Sequence, residues 1–262
     1  MILDVTFSES TTQIPVDIQG IHIITNGVPP EEVEKLVADA EAKGNAEGIA
    51  TGRQAAYDVF WDVYQQNGNR ADYKFAFAGE GWTDSTFRPK YDMQPTTYGG
   101  AESIFEGSLI SDVRPETIGV NIDFSKIKNA NYMLQGLKTT KYVGVVDIRN
   151  TEYGSYLACN SSGLKSIEKL ILSEKDPGYS FGNLGFSDCT SLEHIIIEGT
   201  IWRNVSFQWS PLSAESVQSI VDHLKDRSGL ATQTLTLKAD VGANLTEAQR
   251  ATITAKNWTL VY

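Results

Sequence analysis

Short runs of alternating apolar and polar residues recur along most of the chain. ILDVTFS at 2–8 alternates as a strand does, and IHIIT at 21–25 is a second strand candidate. Asn26–Gly27 then reads as a turn and Pro29–Pro30 as a helix start, with Glu31, Glu32 and Glu34 suited to a first helical turn. From 31 to 66 the period is helical. Further on, apolar-x-apolar cores stand at Ile122-Asp123-Phe124, Val146-Asp147-Ile148, Leu170-Ile171-Leu172 and Ile195-Ile196-Ile197, with first members 24, 24 and 25 residues apart. Leu235-Thr236-Leu237 and Trp258-Thr259-Leu260 follow, 23 apart, and Val205-Ser206-Phe207 reads as one more short strand. Strands this short cannot bury an apolar face alone, so the spacing predicts stacking of neighbours.

The outer residues of each core are expected to point inward and the middle one outward. The outward set is then Asp123, Asp147, Ile171, Ile196, Ser206, Thr236 and Thr259, a candidate binding face. Two helices are expected near the end. Ser213 can cap SAESVQSIVDHLK, with Gly229 closing it, and Thr246 with Gln249 makes a capping box. The order strand, helix, strand, helix, strand implies parallel strands and a capped end. The spacing falls within the roughly 20–29 residues of leucine-rich repeats, and Val143-x-x-Val146-x-Ile148, Ile167-x-x-Leu170-x-Leu172 and Leu192-x-x-Ile195-x-Ile197 fit their L-x-x-L-x-L core, so the fold class expected is an α/β leucine-rich-repeat solenoid, irregular, with short parallel strands and helices near the C-terminus, preceded by a helical segment. Its parts are N-terminal strands at 1–28, a glycine-striped helix at 29–66, an aromatic-rich connector at 67–98 and the repeat domain at 99–262.

Within the helical segment, Ala40, Gly44, Gly48, Gly52 and Ala56 recur every four residues. Three glycines inside a helix cost about 3 kcal/mol relative to alanine. A close-packed partner would offset that cost, so this stripe is the candidate oligomer face. The stripe drifts by about 40° per step, so the partner helix would cross or wind. The aromatics from Tyr57 to Tyr98 are read as a plug joining helix to solenoid rather than a sugar platform.

Composition narrows the function. The net charge of -11, with no basic patch, disfavours nucleic acid. MILDVTFSES lacks the basic segment and long apolar run of a secretory signal, and no run approaches the ~20 residues that span a bilayer. The expected location is cytoplasmic, with the cell surface reached only by another route. Cys159 and Cys189 do not make a disulfide framework. His22, His194 and His223 lack ligand spacing for a metal, His194 being expected to face outward beside Glu198. Asp123 and Asp147, on adjacent repeats, would sit about 5 Å apart, the separation of a retaining glycosidase pair. No other feature marks a cleft, so no enzyme and no cofactor are expected, and glycan hydrolysis by that pair is the lesser alternative.

FSDCTSLEHIIIEG at 186–199 resembles the F-x-x-C-x-x-L-x-x-I unit of BspA-like (Treponema-type) leucine-rich repeats, and GLKSIEKLILS at 163–173 is similar to another copy. Residues 212–262 and 57–91 resemble the ends of such proteins encoded in phages and prophages of gut Firmicutes. The resemblance implies a non-enzymatic protein- or glycan-binding module, in adhesion or, alternatively, in a phage tail or baseplate. It carries over no catalytic residues.

Overall fold

A computed structural model describes residues 13–18, 21–26, 72–178 and 181–262. The strand expected at 2–8, the glycine-striped helix and its candidate face (Ala40, Gly44, Gly48, Gly52, Ala56) lie outside the described residues. Near the start, β1 (Gln13–Ile18) and β2 (Ile21–Asn26) pair antiparallel, Ile18 opposite Ile21. The sequence reading identified β2 but not β1, where Pro15 interrupts the alternation.

From Asp72 onward the chain forms two hydrogen-bonded ladders. One contains the parallel sheet β3 (Tyr142–Asp147), β4 (Ser166–Ile171) and β6 (His194–Glu198), in that order. The isolated parallel bridge Asp112↔Tyr142 extends it backward. The L-x-x-L-x-L cores explain it: Val143, Val146 and Ile148, then Ile167, Leu170 and Leu172, then Leu192, Ile195 and Ile197 are all buried. The other ladder ends in the parallel sheet β5 (Leu184–Gly185), β7 (Val205–Phe207), β8 (Gln233–Leu237) and β9 (Trp258–Val261).

That second ladder reaches back into the aromatic segment. Tyr73 N–H donates to the Gly100 carbonyl at 2.7 Å, Gly107 to Gly136 at 3.2 Å, Leu134 to Leu157 at 2.8 Å and Ala158 to Gly185 at 3.3 Å. Phe77 packs edge-on to Trp82 and Phe87 at centroid distances of 5.2 and 4.8 Å and stacks on Phe105 at 5.7 Å. These rings belong to the same apolar cluster that runs on to Trp258. The described part of the 67–98 connector is therefore hydrogen-bonded and packed together with the segment that follows it.

The segments feeding this ladder share a backbone device. Phe75, Ser103, Tyr132 and Tyr156 have φ of 52°, 49°, 58° and 55°, and the residues four positions on, Gly79, Gly107, Gly136 and Asn160, have φ of 93°, 68°, 70° and 55°. Glycine and asparagine enter this left-handed region readily, whereas other residues do so at a cost of about 1–2 kcal/mol.

Between the ladders' ends sit the helices. α1 (Pro115–Ile118) starts on proline and stops at Gly119, φ 79°. α2 (Ala214–His223) starts at the Ser213 cap, whose side chain accepts from Ser216 N–H. Its end differs from the sequence reading: Leu224 caps it in extended conformation, because Leu224 turns out to bridge Ile201, and Gly229 lies in a later turn. α3 (Ala239–Ala243) precedes α4 (Glu247–Ala255), which carries the full Thr246/Gln249 capping box. α2 lies where the next strand beside β6 would be. The Ser216 and Ser219 hydroxyls each accept from an edge N–H, of Ile195 and Ile197, at 2.9 Å.

Candidate binding surface

The seven residues expected to form one outward column fall on two separate sheets. Asp147 and Ile171 are register partners in the first sheet. Ile196 is out of line with them, because β4 and β6 pair with Ser166 opposite His194 and Ile171 opposite Glu198 instead of with Leu170 level with Ile195. Ile171 itself is buried between these longer neighbours. Asp123 follows the isolated Met93↔Ile122 bridge instead of lying in a strand, since Ile122-Asp123-Phe124 extends no further. Ser206, Thr236 and Thr259 belong to the other sheet, Ser206 and Thr236 in register and Thr259 two residues out of that row, opposite Thr234. One core spacing had fed two ladders, and spacing alone does not distinguish them.

The outward side of the first sheet is charged, and its charges close on one another. Arg149 Nε donates to Asp147 at 2.9 Å, Arg114 Nη2 to Asp112 at 2.6 Å, and Lys169 meets Glu198 at 3.0 Å. Arg114 also lies over the Tyr142 ring, 4.7 Å from its centroid. His194 Nδ1 faces Glu215 of α2 at 3.8 Å rather than Glu198, which Lys169 occupies. His223 Nδ1 lies 2.8 Å from the Ser219 carbonyl oxygen.

Asp123 and Asp147 are each engaged by neighbouring groups. Burial pushes the Asp123 carboxyl up, but hydrogen bonds from Ser125 and the Gln94 amide outweigh it and hold the group below its ordinary range. Asp147 is engaged by Arg149 through both its backbone and its Nε. Among the described residues no three His, Cys, Asp or Glu side chains gather as a metal site would require. Both cysteines are free and buried. Cys189 Sγ donates to the Ala158 carbonyl at 2.8 Å, and burial pushes its thiol from 9.0 up to about 12, away from nucleophilic use.

The second sheet presents a different face. Leu184, Val205 and Leu235 point inward, so their alternates Gly185, Ser206 and Thr236 point outward in one register row ending at Val261. Thr234 and Thr259 form the adjoining row. None of these residues is charged.

Next to Gly185, on the preceding segments of the same ladder, stand two tyrosines that the sequence reading missed. Tyr132 and Tyr156 are 38% and 52% exposed, stacked with centroids 5.6 Å apart and planes within 4°. Both occupy the left-handed region. Gly185 is buried beside Tyr156: a Cβ there would lie 3.6 Å from Tyr156 Cα and 3.9 Å from its ring. A signal for them exists in the sequence. Phe75-Ala-Phe-Ala-Gly79, Ser103-Ile-Phe-Glu-Gly107, Tyr132-Met-Leu-Gln-Gly136 and Tyr156-Leu-Ala-Cys-Asn160 form one five-residue unit. Its third position (Phe77, Phe105, Leu134, Ala158) is always buried.

No helix among the described residues is long and apolar enough to cross a membrane. Comparison of the chain with protein-family models, with curated proteins and with solved structures gave no match.

Proposed function

We propose that the chain from Asp72 onward is a leucine-rich-repeat solenoid of the BspA-like kind and works as a non-enzymatic binding module for a protein or glycan. Support for the repeat reading comes from parallel ladders whose partners lie 20 to 30 residues apart and from buried L-x-x-L-x-L cores. The observation that carries the binding reading is the uncharged outward face of the second sheet beside two exposed, strained tyrosines. Residues held at a conformational cost cluster at functional sites, and tyrosine is enriched at interfaces.

The test is surface-based binding by the purified chain to panels of immobilised matrix proteins and polysaccharides. Saturable binding to at least one is expected, weakened by Ser206→Glu with Thr236→Glu and unchanged by Val145→Glu on the other sheet. Absence of saturable binding across both panels refutes the reading. Self-association through the 40–56 stripe belongs to the same proposal and rests on the sequence. Light scattering should find wild-type assemblies that Gly48→Leu dissociates, and a monomeric wild type would end that part.

A further inference from the structure

We infer that the ligand is a neutral carbohydrate chain, seated on Tyr156 and Tyr132 and continuing over Gly185, Ser206 and Thr236; this rests on the binding-module reading and names its ligand class. The argument starts from what the fold requires at these positions. The companion column four residues on is filled by Gly79, Gly107, Gly136 and Asn160, the residues that a left-handed backbone favours. At the tyrosine column the fold also accepts Ser103. A large ring is therefore not a demand of the backbone. Nor is it a demand of the core, since both rings stand at the surface.

Charge then selects among ligands. The chain carries a net charge of -11, and the first sheet's outward charges are paired with each other. The second sheet's outward residues carry none. An acidic or basic partner would find no counter-charge there, whereas an uncharged one loses nothing by that. A pyranose offers an apolar C–H face to stack on an aromatic ring and hydroxyls to exchange hydrogen bonds with serine and threonine. Both features lie in one line. Tyr156 adjoins Gly185, which is itself buried, and Ser206 and Thr236 follow it in register. The two parallel rings lie on successive segments of the ladder, so their stack runs in the same direction as that row.

The experiment is affinity electrophoresis of the whole chain in gels containing a soluble β-glucan, mannan or galactan, followed by titration with oligosaccharides of the retarding polymer. Retardation by at least one is expected, with an affinity that does not change between low and high salt. Tyr132→Asn with Tyr156→Asn should weaken binding roughly tenfold or more. The same variant should melt at the wild-type temperature or above it, because asparagine suits the left-handed backbone. No retardation by any of the three polymers overturns the inference. So does undiminished binding by the asparagine variant, or a markedly lower melting temperature for it, which would make the rings structural. Saturable, salt-dependent binding to a matrix protein with no polysaccharide retardation overturns the glycan assignment and leaves the binding module standing. Failure of both panels removes both.

Discussion

Gly163 and Gly107 separate two reasons for having no side chain. A Cβ on Gly163 would stand 2.0 Å from the Lys138 carbonyl oxygen, a backbone atom of the preceding segment. Gly107, at φ 68°, has nothing within 4 Å of that position. Gly163→Ala must therefore push two segments apart and is expected to cost about 1–3 kcal/mol or more. Gly107→Ala meets only the left-handed penalty of about 1–2 kcal/mol. Urea unfolding of the two variants checks this, and a Gly163→Ala variant as stable as wild type would contradict it. Cys189 gives a pH signature. Its thiol is raised by burial from 9.0 to about 12, so its contribution is whole below pH 9 and is lost as pH rises toward 12. The stability difference between wild type and Cys189→Ala should stay constant at lower pH and narrow above pH 9. A difference that is flat through alkaline pH would show the thiol to be solvated.

At the scale of elements, α2 finishes a sheet without being a strand. The Ile195 and Ile197 N–H groups, on buried residues of β6, donate to the Ser216 and Ser219 hydroxyls. Ser216 in turn donates to the Glu193 carbonyl. An open edge of this kind would otherwise recruit another strand. Ser216→Ala with Ser219→Ala leaves two backbone donors unpaired, at about 1–3 kcal/mol each. Hydrogen exchange at the Ile195 and Ile197 amides should accelerate in the double variant. Unchanged exchange would mean that water or another group already serves them. The capping serine and the helical period were legible in the sequence. That Ser216 and Ser219 face a strand edge was not, because the same residues on an isolated helix would read as solvent-exposed polar positions.

For the whole molecule, one apolar cluster runs from Tyr73 to Trp258, yet each segment bonds mainly to the ones before and after it. Stability in such an arrangement is the sum of neighbour terms, highest where both sides are covered. Amide protection should peak in β4, β7 and β8, each flanked on both sides in its sheet, and fall in β9, which has one strand partner. Uniform protection along the chain would contradict this. The binding reading belongs to this scale too, since its surface draws on residues from 132 to 236 that only stacking aligns.

The sequence by itself determined the local features: strand cores, the Ser213 and Thr246 caps, and an apolar content concentrated at L-x-x-L-x-L positions. Each depends on residues a few positions apart, where period and hydrogen-bonding chemistry act directly. Only the tertiary structure decided which core joined which ladder. That assignment depends on segment lengths that vary between 20 and 30 residues and on a bulge in β4 against β6, neither of which leaves a local trace. It moved Ser206, Thr236 and Thr259 away from Asp147 and Ile171, and set the first two in line with Tyr132 and Tyr156. The tyrosines themselves had a repeated unit in the sequence, but its meaning is a backbone conformation, and a left-handed φ becomes visible only once the chain is folded.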